Sequence, residues 1–318
     1  MEIFHSKAQT AAQCWGVKRA RNRARIFNQR LKREGNRNEL VALGEVVHNT
    51  RSVDSIMAEG IGTINHVEEA DGKNVITSAH GIDPRLMDVL RMVAYDIEDT
   101  TCPIVIAQHE AAVKLQIEQG RKMILIGKRP NHPEILGTIG VLNDKVILIR
   151  DETQIRQITY KVDDPIGVIA QTTLDPRKVA TILTMIERVF GDVVYLPTTC
   201  DDITFKIQEI RDLAPLFDLV IVVSGPKSEN GGTLRETVVE MGKPCVFILD
   251  PEELRIKSVK DSRRILVTGS ASTMIEDVNE VGCKLTDWGW PEKKSQFNPQ
   301  LSAEYRYRIS ARQAGRLV

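Results

Sequence analysis

Short apolar runs rich in valine and isoleucine recur along this chain, and each is followed by a polar loop and then by a helix-like segment. The clearest runs are residues 74–78, 123–127, 145–149, 167–170, 219–223, 245–249 and 265–267. Strands that are apolar throughout and separated by helices are typical of parallel sheets covered on both faces. The pattern therefore predicts an α/β fold built on parallel sheets.

The helix-like segments alternate evenly with these strands, and no long linker or low-complexity stretch divides the chain. We predict helices over residues 17–33, 84–92, 110–119, 177–189, 205–213 and 233–241. In the second of these, Asp83 is the expected N-cap and Pro84 the first helical residue. Beyond about Asp287 the periodicity is lost among Trp, Pro and Arg residues, which indicates an arm packed over the body.

Composition and charge argue against several classes of protein. The 318 residues include 43 Lys and Arg and 43 Asp and Glu, so the formal net charge is zero and a global nucleic-acid footprint is not expected. No apolar run approaches the roughly 18 residues that a membrane span needs. Residues 1–7 contain no apolar signal core, so we expect a cytoplasmic protein.

Among the five cysteines, Cys14, Cys102 and Cys200 lie in loop-like positions between an extended segment and a helix. Because ligands gather at the carboxyl ends of parallel strands, three similar α/β units can each supply one thiolate to a common centre. The alternative is that these are ordinary buried cysteines. No C-x-x-C pair occurs, so no zinc ribbon or ferredoxin-type site is encoded. Cys245, inside a strand, and Cys283, after a helix, are predicted to be structural.

Three histidines, His48, His80 and His132, are predicted to lie at strand ends or in polar loops. A single histidine of this kind is usually structural, but three in similar loops favour a pocket for an anion or a substrate. Glu134, close to His132, is a candidate proton donor. The alternative for Glu134 is a carboxylate that stabilises the start of a helix.

Loops rich in hydroxyl groups follow other strands, at residues 171–173, 224–233 and 268–273. A strand, a Gly/Ser/Thr loop and a helix can together hold an anion at the helix N-terminus. An ordinary turn with a helix N-cap has the same composition. Neither a P-loop nor a G-x-G-x-x-G fingerprint occurs.

Several motifs fall in the order and approximate spacing of one known family. They are Cys-x-Gly-Val at 14–17, Glu-Val-Val-His-Asn at 45–49, Ser-Ala-His-Gly at 78–81, Thr-Cys-Pro at 101–103, His-Pro-Glu-x-x-Gly-Thr-x-Gly at 132–140 and Gln-Thr-Thr-Leu at 171–174. No single motif is decisive, but the joint set is highly specific. From about Cys14 to about Thr273, the chain resembles the 4-hydroxy-3-methylbut-2-enyl diphosphate reductase family, the LytB-type iron–sulfur enzymes.

The resemblance implies three small α/β units with parallel sheets, arranged pseudo-threefold around a central iron–sulfur cluster. The implied units are residues 14–101, 102–195 and 196–286, the last together with residues 1–13, and residues 287–318 form the C-terminal arm. The implied cofactor is a 4Fe-4S cluster ligated by Cys14, Cys102 and Cys200, which a 3Fe-4S form can replace on isolation. The fourth iron would bind the substrate alcohol.

The resemblance also implies roles for the remaining candidate residues. His48, His80, Ser228, Asn230 and Ser272 would hold the diphosphate of the substrate. His132, Glu134 and Thr172 would position the hydroxyl group and relay protons. The implied reaction is a two-electron, two-proton removal of that hydroxyl, which gives isopentenyl and dimethylallyl diphosphates with electrons from a ferredoxin or flavodoxin.

Some positions depart from the family pattern. Glu229 follows Ser228 where the family has a neutral residue, and a carboxylate beside a diphosphate is repulsive unless it points away. Trp15 replaces a smaller residue, and Asp201 and Asp202 stand where the family favours an aromatic and then a small residue. These departures keep open a divergent member that reduces another allylic or activated alcohol.

The segment 18–33 carries eight Lys and Arg residues and no acidic residue. One interpretation is a docking site for an acidic electron donor, because complementary charge speeds encounter. The others are a solvated helix face and contact with RNA or DNA, which would suit a cluster-bearing binding protein without turnover. His132 and Glu134 together favour an enzyme.

Overall fold

The computed structural model describes residues 2–45, 51 and 58–294, in which strands and helices alternate. The strands are β1 (Phe4–Lys7), β2 (Leu40–Leu43), β3 (Gly62–Ile64), β4 (Asn74–Ile76), β5 (Asp96–Glu98), β6 (Lys122–Ile126), β7 (Val146–Ile149), β8 (Pro165–Ala170), β9 (Asp192–Tyr195), β10 (Leu219–Val223), β11 (Cys245–Ile248) and β12 (Arg264–Gly269). The helices are α1 (Trp15–Arg33), α2 (Pro84–Val93), α3 (Pro103–Val113), α4 (Pro133–Val141), α5 (Pro176–Val189), α6 (Asp201–Leu213), α7 (Glu229–Glu240) and α8 (Ile275–Asp287).

The strands form three parallel four-stranded sheets that share one topology. The strand orders are β3-β2-β4-β5 in the first sheet, β7-β6-β8-β9 in the second and β11-β10-β12-β1 in the third. With the strands of a sheet numbered first to fourth, the order across each sheet is second, first, third, fourth, where β10 to β12 count as first to third and β1 as fourth in the third sheet. The fourth strand of the third sheet is β1, from the other end of the chain, and it pairs with β12 from Phe4 opposite Arg264 to Lys7 opposite Val267.

Apolar side chains cover both faces of the second sheet, as the continuous apolar runs predict. Ile124 and Ile126 of β6 belong to one buried cluster, together with residues of α5 such as Ile186. Met123 and Leu125, on the opposite face of the same strand, belong to another cluster. Successive side chains of a strand point to opposite faces, so the two clusters cover the two faces of this sheet. The predicted α/β class with parallel sheets is confirmed.

The residues cluster into two compact regions. Region I comprises Met1–Lys18, Val47–Ser55 and Asp201–Val318, as far as these are described, and contains the third sheet. Region II comprises Arg19–Val46 and Ile56–Cys200 and contains the first two sheets. The division into units at 14–101, 102–195 and 196–286 stays a prediction.

Three helices begin at least four residues earlier than their apolar periodicity predicts, at Pro103, Asp201 and Glu229. Their first turns are polar or begin with proline, so the apolar pattern does not mark them. Acidic residues and proline nonetheless suit a helix start, because the first N–H groups of a helix have no partner within it. The predicted helix 110–119 is the end of α3 followed by a π-helical turn, Lys114–Glu118.

The segment after α8 lies along β1, the edge strand of the third sheet. The N–H of His5 donates to Pro291 O at 3.1 Å, and Lys293 N donates to His5 O at 2.8 Å. Trp290 is buried, and its indole N–H donates to Ser262 O at 2.8 Å. The rest of the predicted arm, from residue 295 onward, is outside the described residues. Of the helices that the structure describes, none has both the length and the apolar character that a bilayer crossing requires.

Candidate functional site

The three cysteines predicted to bind a cluster occupy equivalent places in the three sheets. Each follows the fourth strand of its sheet and directly precedes or caps a helix: Cys14 between β1 and α1, Cys102 between β5 and α3, and Cys200 between β9 and α6. All three side chains are partly buried and free of disulfides. The carboxyl ends of the strands therefore carry the cysteines, as expected for ligand-binding loops.

A backbone hydrogen bond fixes each cysteine to the loop after the third strand of the same sheet. The bonds run from Cys14 N to Ala271 O at 3.0 Å, from Cys102 N to Ala79 O at 3.0 Å and from Cys200 N to Thr172 O at 2.8 Å. The acceptor loops are those of the predicted substrate residues Ser272, His80 and Thr172. In every sheet, therefore, one bond joins the cysteine loop to the substrate loop.

Backbone N–H groups lie close to the sulfur atoms of Cys14 and Cys102. Val17 N donates to Cys14 Sγ at 3.3 Å. Burial raises the pKa of the Cys102 thiol above its ordinary value, and the charge of Glu134 adds to this, although the N–H groups of Ile104 and Val105 act in the opposite direction. A thiolate at such a position needs a cation beside it, because burial otherwise favours the neutral thiol. The donor set thus fits an iron–sulfur cluster.

Within the described ranges, no group of three or more His, Cys, Asp or Glu side chains forms a site for one metal ion. A four-iron cluster holds its cysteines further apart than a single ion does. Cys102 and Cys200 belong to region II and Cys14 to region I. The shared cluster ligation by these cysteines stays a prediction.

Region II brings together the three residues predicted to handle the hydroxyl group. His132 is the N-cap of α4, and its Nδ1 accepts the N–H of Glu134 at 3.2 Å. The Glu134 side chain is 1% exposed, and its two oxygens accept the N–H of Thr172 at 2.6 Å and the Thr172 hydroxyl at 3.0 Å. The carboxylate is thus fixed in place at the end of β8. Glu134 also lies in the first turn of α4, so the two interpretations of this residue are compatible.

The predicted diphosphate residue His80 lies beside this group. Its ring and that of His132 meet edge to face, with centroids 5.3 Å apart. His80 N donates to Ser78 Oγ at 3.1 Å, which shapes the loop after β4. The structure therefore joins His80 to the His132 and Glu134 group. His48 is outside the described residues.

Region I groups the other predicted diphosphate residues in the loops after β10 and β12, which are neighbouring strands. Ser228 caps α7 and accepts Gly231 N at 3.1 Å, while Asn230 Oδ1 accepts Ala271 N at 3.2 Å. Ser272 and Ser270 have their hydroxyl oxygens 3.4 Å apart. A side chain at Gly231 would overlap Ser224 Oγ, so α7 approaches β10 as closely as only glycine allows. The loops form a hydroxyl-rich group at a helix N-terminus, a favourable place for an anion.

Two of the residues that depart from the family pattern are buried. Glu229, the first residue of α7, is 6% exposed, and Asp202, in the first turn of α6, is 3% exposed. A carboxylate in the first turn of a helix interacts favourably with the helix dipole. Glu229 therefore lies at a helix start that favours negative charge, next to the predicted diphosphate residue Ser228.

Gln108 is a functional candidate that the sequence analysis missed. It is fully buried, its Nε2 donates to Ala170 O at 2.7 Å, and its Oε1 accepts the Thr138 hydroxyl at 3.2 Å. Thr138 Oγ also lies 2.8 Å from Glu134 O. Gln108 thus links the helix of Glu134 to the strand that precedes Thr172. One sequence signal was available: Gln108 has the helical spacing of the buried residues Val105 and Ala112, which puts it on the buried face of α3.

Known proteins similar to this chain identify its family. The model of the family described as LytB protein matches residues 6–286. The chain belongs to the LytB family. It is 30% identical over 312 residues to the 4-hydroxy-3-methylbut-2-enyl diphosphate reductase of Burkholderia pseudomallei (strain 1026b), covering 96% of this chain and 97% of the relative. It is 29% identical over 269 residues to that of Aquifex aeolicus (strain VF5), covering 84% and 90%.

Solved structures of LytB-type reductases have the same fold. The reductase from Plasmodium falciparum superposes with a TM-score of 0.86 at 22% identity, over 98% of this chain and 100% of that one. A second structure, of (E)-4-hydroxy-3-methyl-but-2-enyl diphosphate reductase, gives a TM-score of 0.63 at 27% identity, over 90% and 99%. The resemblance stated from the motifs and the predicted fold class are both confirmed.

The two remaining cysteines lie apart from the three loops. Cys245 is on the edge strand β11 and is half-buried rather than in the core, and burial raises its pKa to about 11 although Arg235 opposes this. Cys283 lies within α8 rather than after a helix, because α8 continues to Asp287, and it is exposed. Neither cysteine lies in a loop that follows the fourth strand of a sheet.

We expect these two thiols to differ in reactivity. At pH 8 only about one in a thousand Cys245 thiols is ionised when the pKa is about 11, so iodoacetamide should alkylate exposed Cys283 at least about tenfold faster. Peptide mass spectrometry after timed quenching measures both rates. Raising the pH to 10 should accelerate Cys245 labelling by about a hundredfold. Equal rates at pH 8 would contradict this account of the Cys245 environment.

Proposed function

We propose that this chain is a 4-hydroxy-3-methylbut-2-enyl diphosphate reductase, which removes the substrate hydroxyl and yields isopentenyl and dimethylallyl diphosphates. This is the last step of the methylerythritol phosphate route to isoprenoids. The observation that carries the proposal is the buried Glu134, held by Thr172 and next to His132. A proton donor fixed in this way is what the loss of a hydroxyl group as water requires. Relatives named for this activity match along nearly the whole chain.

The family depends on an iron–sulfur cluster, and we propose the 4Fe-4S type with Cys14, Cys102 and Cys200 as ligands. When bound, such a cluster supplies electrons and a Lewis-acidic iron that weakens the C–O bond. The helix N-termini after the three cysteines favour negative charge on the sulfur atoms. We propose the cytoplasm as the compartment, because a reducing environment keeps these thiols available.

Residues of the chain donate the proton, position the donor and bind the diphosphate in this proposal. We propose that Glu134 in its protonated form gives a proton to the departing hydroxyl group and becomes a carboxylate, while Thr172 keeps the carboxyl group aimed at the hydroxyl. His132 fixes the start of α4 and thereby the Glu134 backbone. His48 and His80, with Ser228, Asn230 and Ser272, would hydrogen-bond the diphosphate and offset its charge.

A turnover measurement tests the proposal. Protein with a fully reconstituted cluster should oxidise reduced methyl viologen rapidly when 4-hydroxy-3-methylbut-2-enyl diphosphate is added under argon, with isoprenoid diphosphates as products. Each product molecule should consume two electrons and release one water. If protein with a fully loaded cluster does not oxidise the viologen, the substrate assignment is overturned. Activity instead on an allylic alcohol without a diphosphate would favour the divergent role that the buried Glu229 allows.

Replacement of the proposed proton donor should separate chemistry from cluster binding. We expect Glu134→Gln to retain the iron of the wild type and to lower kcat by at least about a hundredfold, because the amide cannot give up the required proton. Glu110→Gln on α3 is the matched control, since Glu110 is exposed on a neighbouring helix. Iron analysis and the viologen assay measure the two effects. A Glu134→Gln variant with normal turnover would exclude Glu134 as the donor.

Serine substitutions test the three proposed ligands. Cys14→Ser, Cys102→Ser and Cys200→Ser should each lose bound iron and the visible absorption of the cluster, because a hydroxyl group is a poor ligand for iron of this type. Cys245→Ser and Cys283→Ser should keep both and serve as controls. Colorimetric iron analysis of anaerobically purified protein decides the question. Iron loss from a control variant, or its retention in all three ligand variants, would refute the ligand set.

We also propose that α1 docks the ferredoxin or flavodoxin that supplies electrons. Some of its charge is compensated, since Arg23 pairs with Glu98 and Arg30 with Asp96 at 2.6 Å. The side chains of Lys18, Arg25, Lys32 and Arg33 are exposed and offer positive charge to an acidic partner.

A charge reversal on α1 tests this docking. Arg25→Glu should raise KM for the reduced carrier at least about threefold at low salt and leave viologen-driven turnover unchanged, because rim charges act mainly on encounter. Arg188→Glu on α5 makes the same charge change at another exposed position. Equal effects of the two variants would place the docking surface elsewhere.

A further inference from the structure

Helix α6 carries three buried charged side chains on one face. Asp202, Lys206 and Glu209 are 3%, 0% and 0% exposed, and their spacing of four and three residues aligns them along the helix. Burying a charge costs free energy unless partners satisfy it. The partners of Lys206 and Glu209 are in the segment between β1 and Cys14.

Glu209 binds the first half of that segment. Its Oε1 accepts Gln9 N at 2.6 Å, and its Oε2 accepts Thr10 N at 2.9 Å and the Thr10 hydroxyl at 2.6 Å. Two consecutive backbone N–H groups therefore point to one carboxylate. Such charge-assisted bonds are stronger than bonds between neutral groups.

Lys206 binds the second half. Its ammonium group donates to the carbonyl oxygens of Thr10 and Ala12, the latter at 3.0 Å, and lies 3.9 Å from Asp202 Oδ2. Asp202, one of the departures from the family pattern, thus faces a buried cation. With both partners, α6 fixes the backbone from Gln9 to Ala12, two residues before Cys14.

The other two cysteine loops are fixed in a different way. A threonine lies two residues before Cys102 and before Cys200, and its hydroxyl donates to the third strand or its end: Thr100 to Thr77 O at 2.5 Å and Thr198 to Ala170 O at 2.5 Å. The equivalent position before Cys14 is Ala12, which has no hydroxyl. In this loop the Lys206 ammonium binds the Ala12 carbonyl instead.

The segment between β1 and Cys14 is also tightly packed against the end of β12. A Cβ atom added at Gly269, the last residue of β12, would lie 2.7 Å from Ala11 O. Ala8 N donates to Val267 O at 2.8 Å, and Cys14 N donates to Ala271 O at 3.0 Å. The sheet therefore holds both ends of the segment and α6 holds its middle.

We infer that Lys206 and Glu209 are positioning residues that hold the Cys14 loop in the geometry needed for cluster binding, an inference that rests on the proposed ligand role of Cys14. Buried charged side chains seldom stabilise a fold more than apolar residues of the same size would. Here they satisfy the backbone groups of one loop in one conformation. Because α6 directly follows Cys200, the helix that begins at one proposed ligand fixes the loop of another.

The test compares Cys14 with two cysteines of the same molecule. In metal-free protein, Lys206→Met and Glu209→Gln should each raise the iodoacetamide alkylation rate of Cys14 by about tenfold, because two carbonyls or two N–H groups lose a buried charged partner. The rates of Cys102 and Cys200 should stay within about twofold of the wild type. In anaerobically purified holoprotein, iron release to a chelator should accelerate for the same variants.

Further variants separate positioning from general destabilisation. Ile210→Ala removes a fully buried apolar side chain from α6 and touches none of these hydrogen bonds, so it should lower Tm without selective labelling of Cys14. Lys206→Arg keeps a donor and should restore iron retention at least halfway. If Lys206→Met fails to fold, Thr10→Val removes one Glu209 bond and should raise Cys14 labelling more modestly.

The outcomes are distinct. Uniform labelling of all three cysteines, or a Cys14 rate equal to that of Ile210→Ala at matched Tm, would overturn the inference. Wild-type protein that holds its cluster but lacks turnover would refute the proposed reaction and leave this result unaffected. Wild-type protein without iron would refute the ligand set, and the labelling pattern would still report whether Lys206 and Glu209 position Cys14.

Discussion

One backbone hydrogen bond, repeated in each sheet, connects the two kinds of loop on which the proposed chemistry depends. The N–H of each cysteine donates to a carbonyl just after the third strand. In the second sheet the acceptor is Thr172, whose own N–H and hydroxyl hold the Glu134 carboxylate. One residue therefore contacts both the Cys200 backbone and the proposed proton donor, and a shift of either is transmitted to the other. Proton transfer is sensitive to such geometry, since the donor must remain within hydrogen-bond reach of its target.

Burial determines how strictly this geometry is kept. Glu134 and Gln108 are 1% and 0% exposed, so neither can exchange a protein partner for water. In a medium of low dielectric constant an unsatisfied polar group is costly, and a fully connected network holds one arrangement. Gln108 joins three elements through Ala170 and Thr138, which keeps the helix of Glu134 in register with β8. The scaffold thus adds its own contacts to the loop contacts that hold the site.

The apolar runs are local signals, and they predicted the strands β4, β6, β7, β8, β10, β11 and β12 but not β1, β2, β3, β5 and β9. Apolar runs mark strands that are covered on both faces, and motifs such as the one containing His132 and Glu134 keep site residues together. Helix starts at Asp201 and Glu229 were missed because polar first turns carry no apolar periodicity. Gln108 and Lys206 were missed for another reason. A buried polar side chain is recognisable only from its partners, and the Lys206 partner Thr10 is 196 residues away in sequence.

The three cysteine loops have the same topology but are fixed by different hydrogen bonds. The 196-residue separation of Lys206 and Thr10 in sequence bears on this difference. The threonine bonds before Cys102 and Cys200 join residues only 23 and 28 positions apart, within one sheet whose strands follow each other in the chain. The third sheet takes its fourth strand from the other end of the chain, so its loop must be ordered against a larger loss of chain entropy. Ala12 offers no hydroxyl to help, and stronger charge-assisted bonds from α6 stand in its place. The buried charges of α6 thus hold a loop whose contacts join residues far apart in the chain.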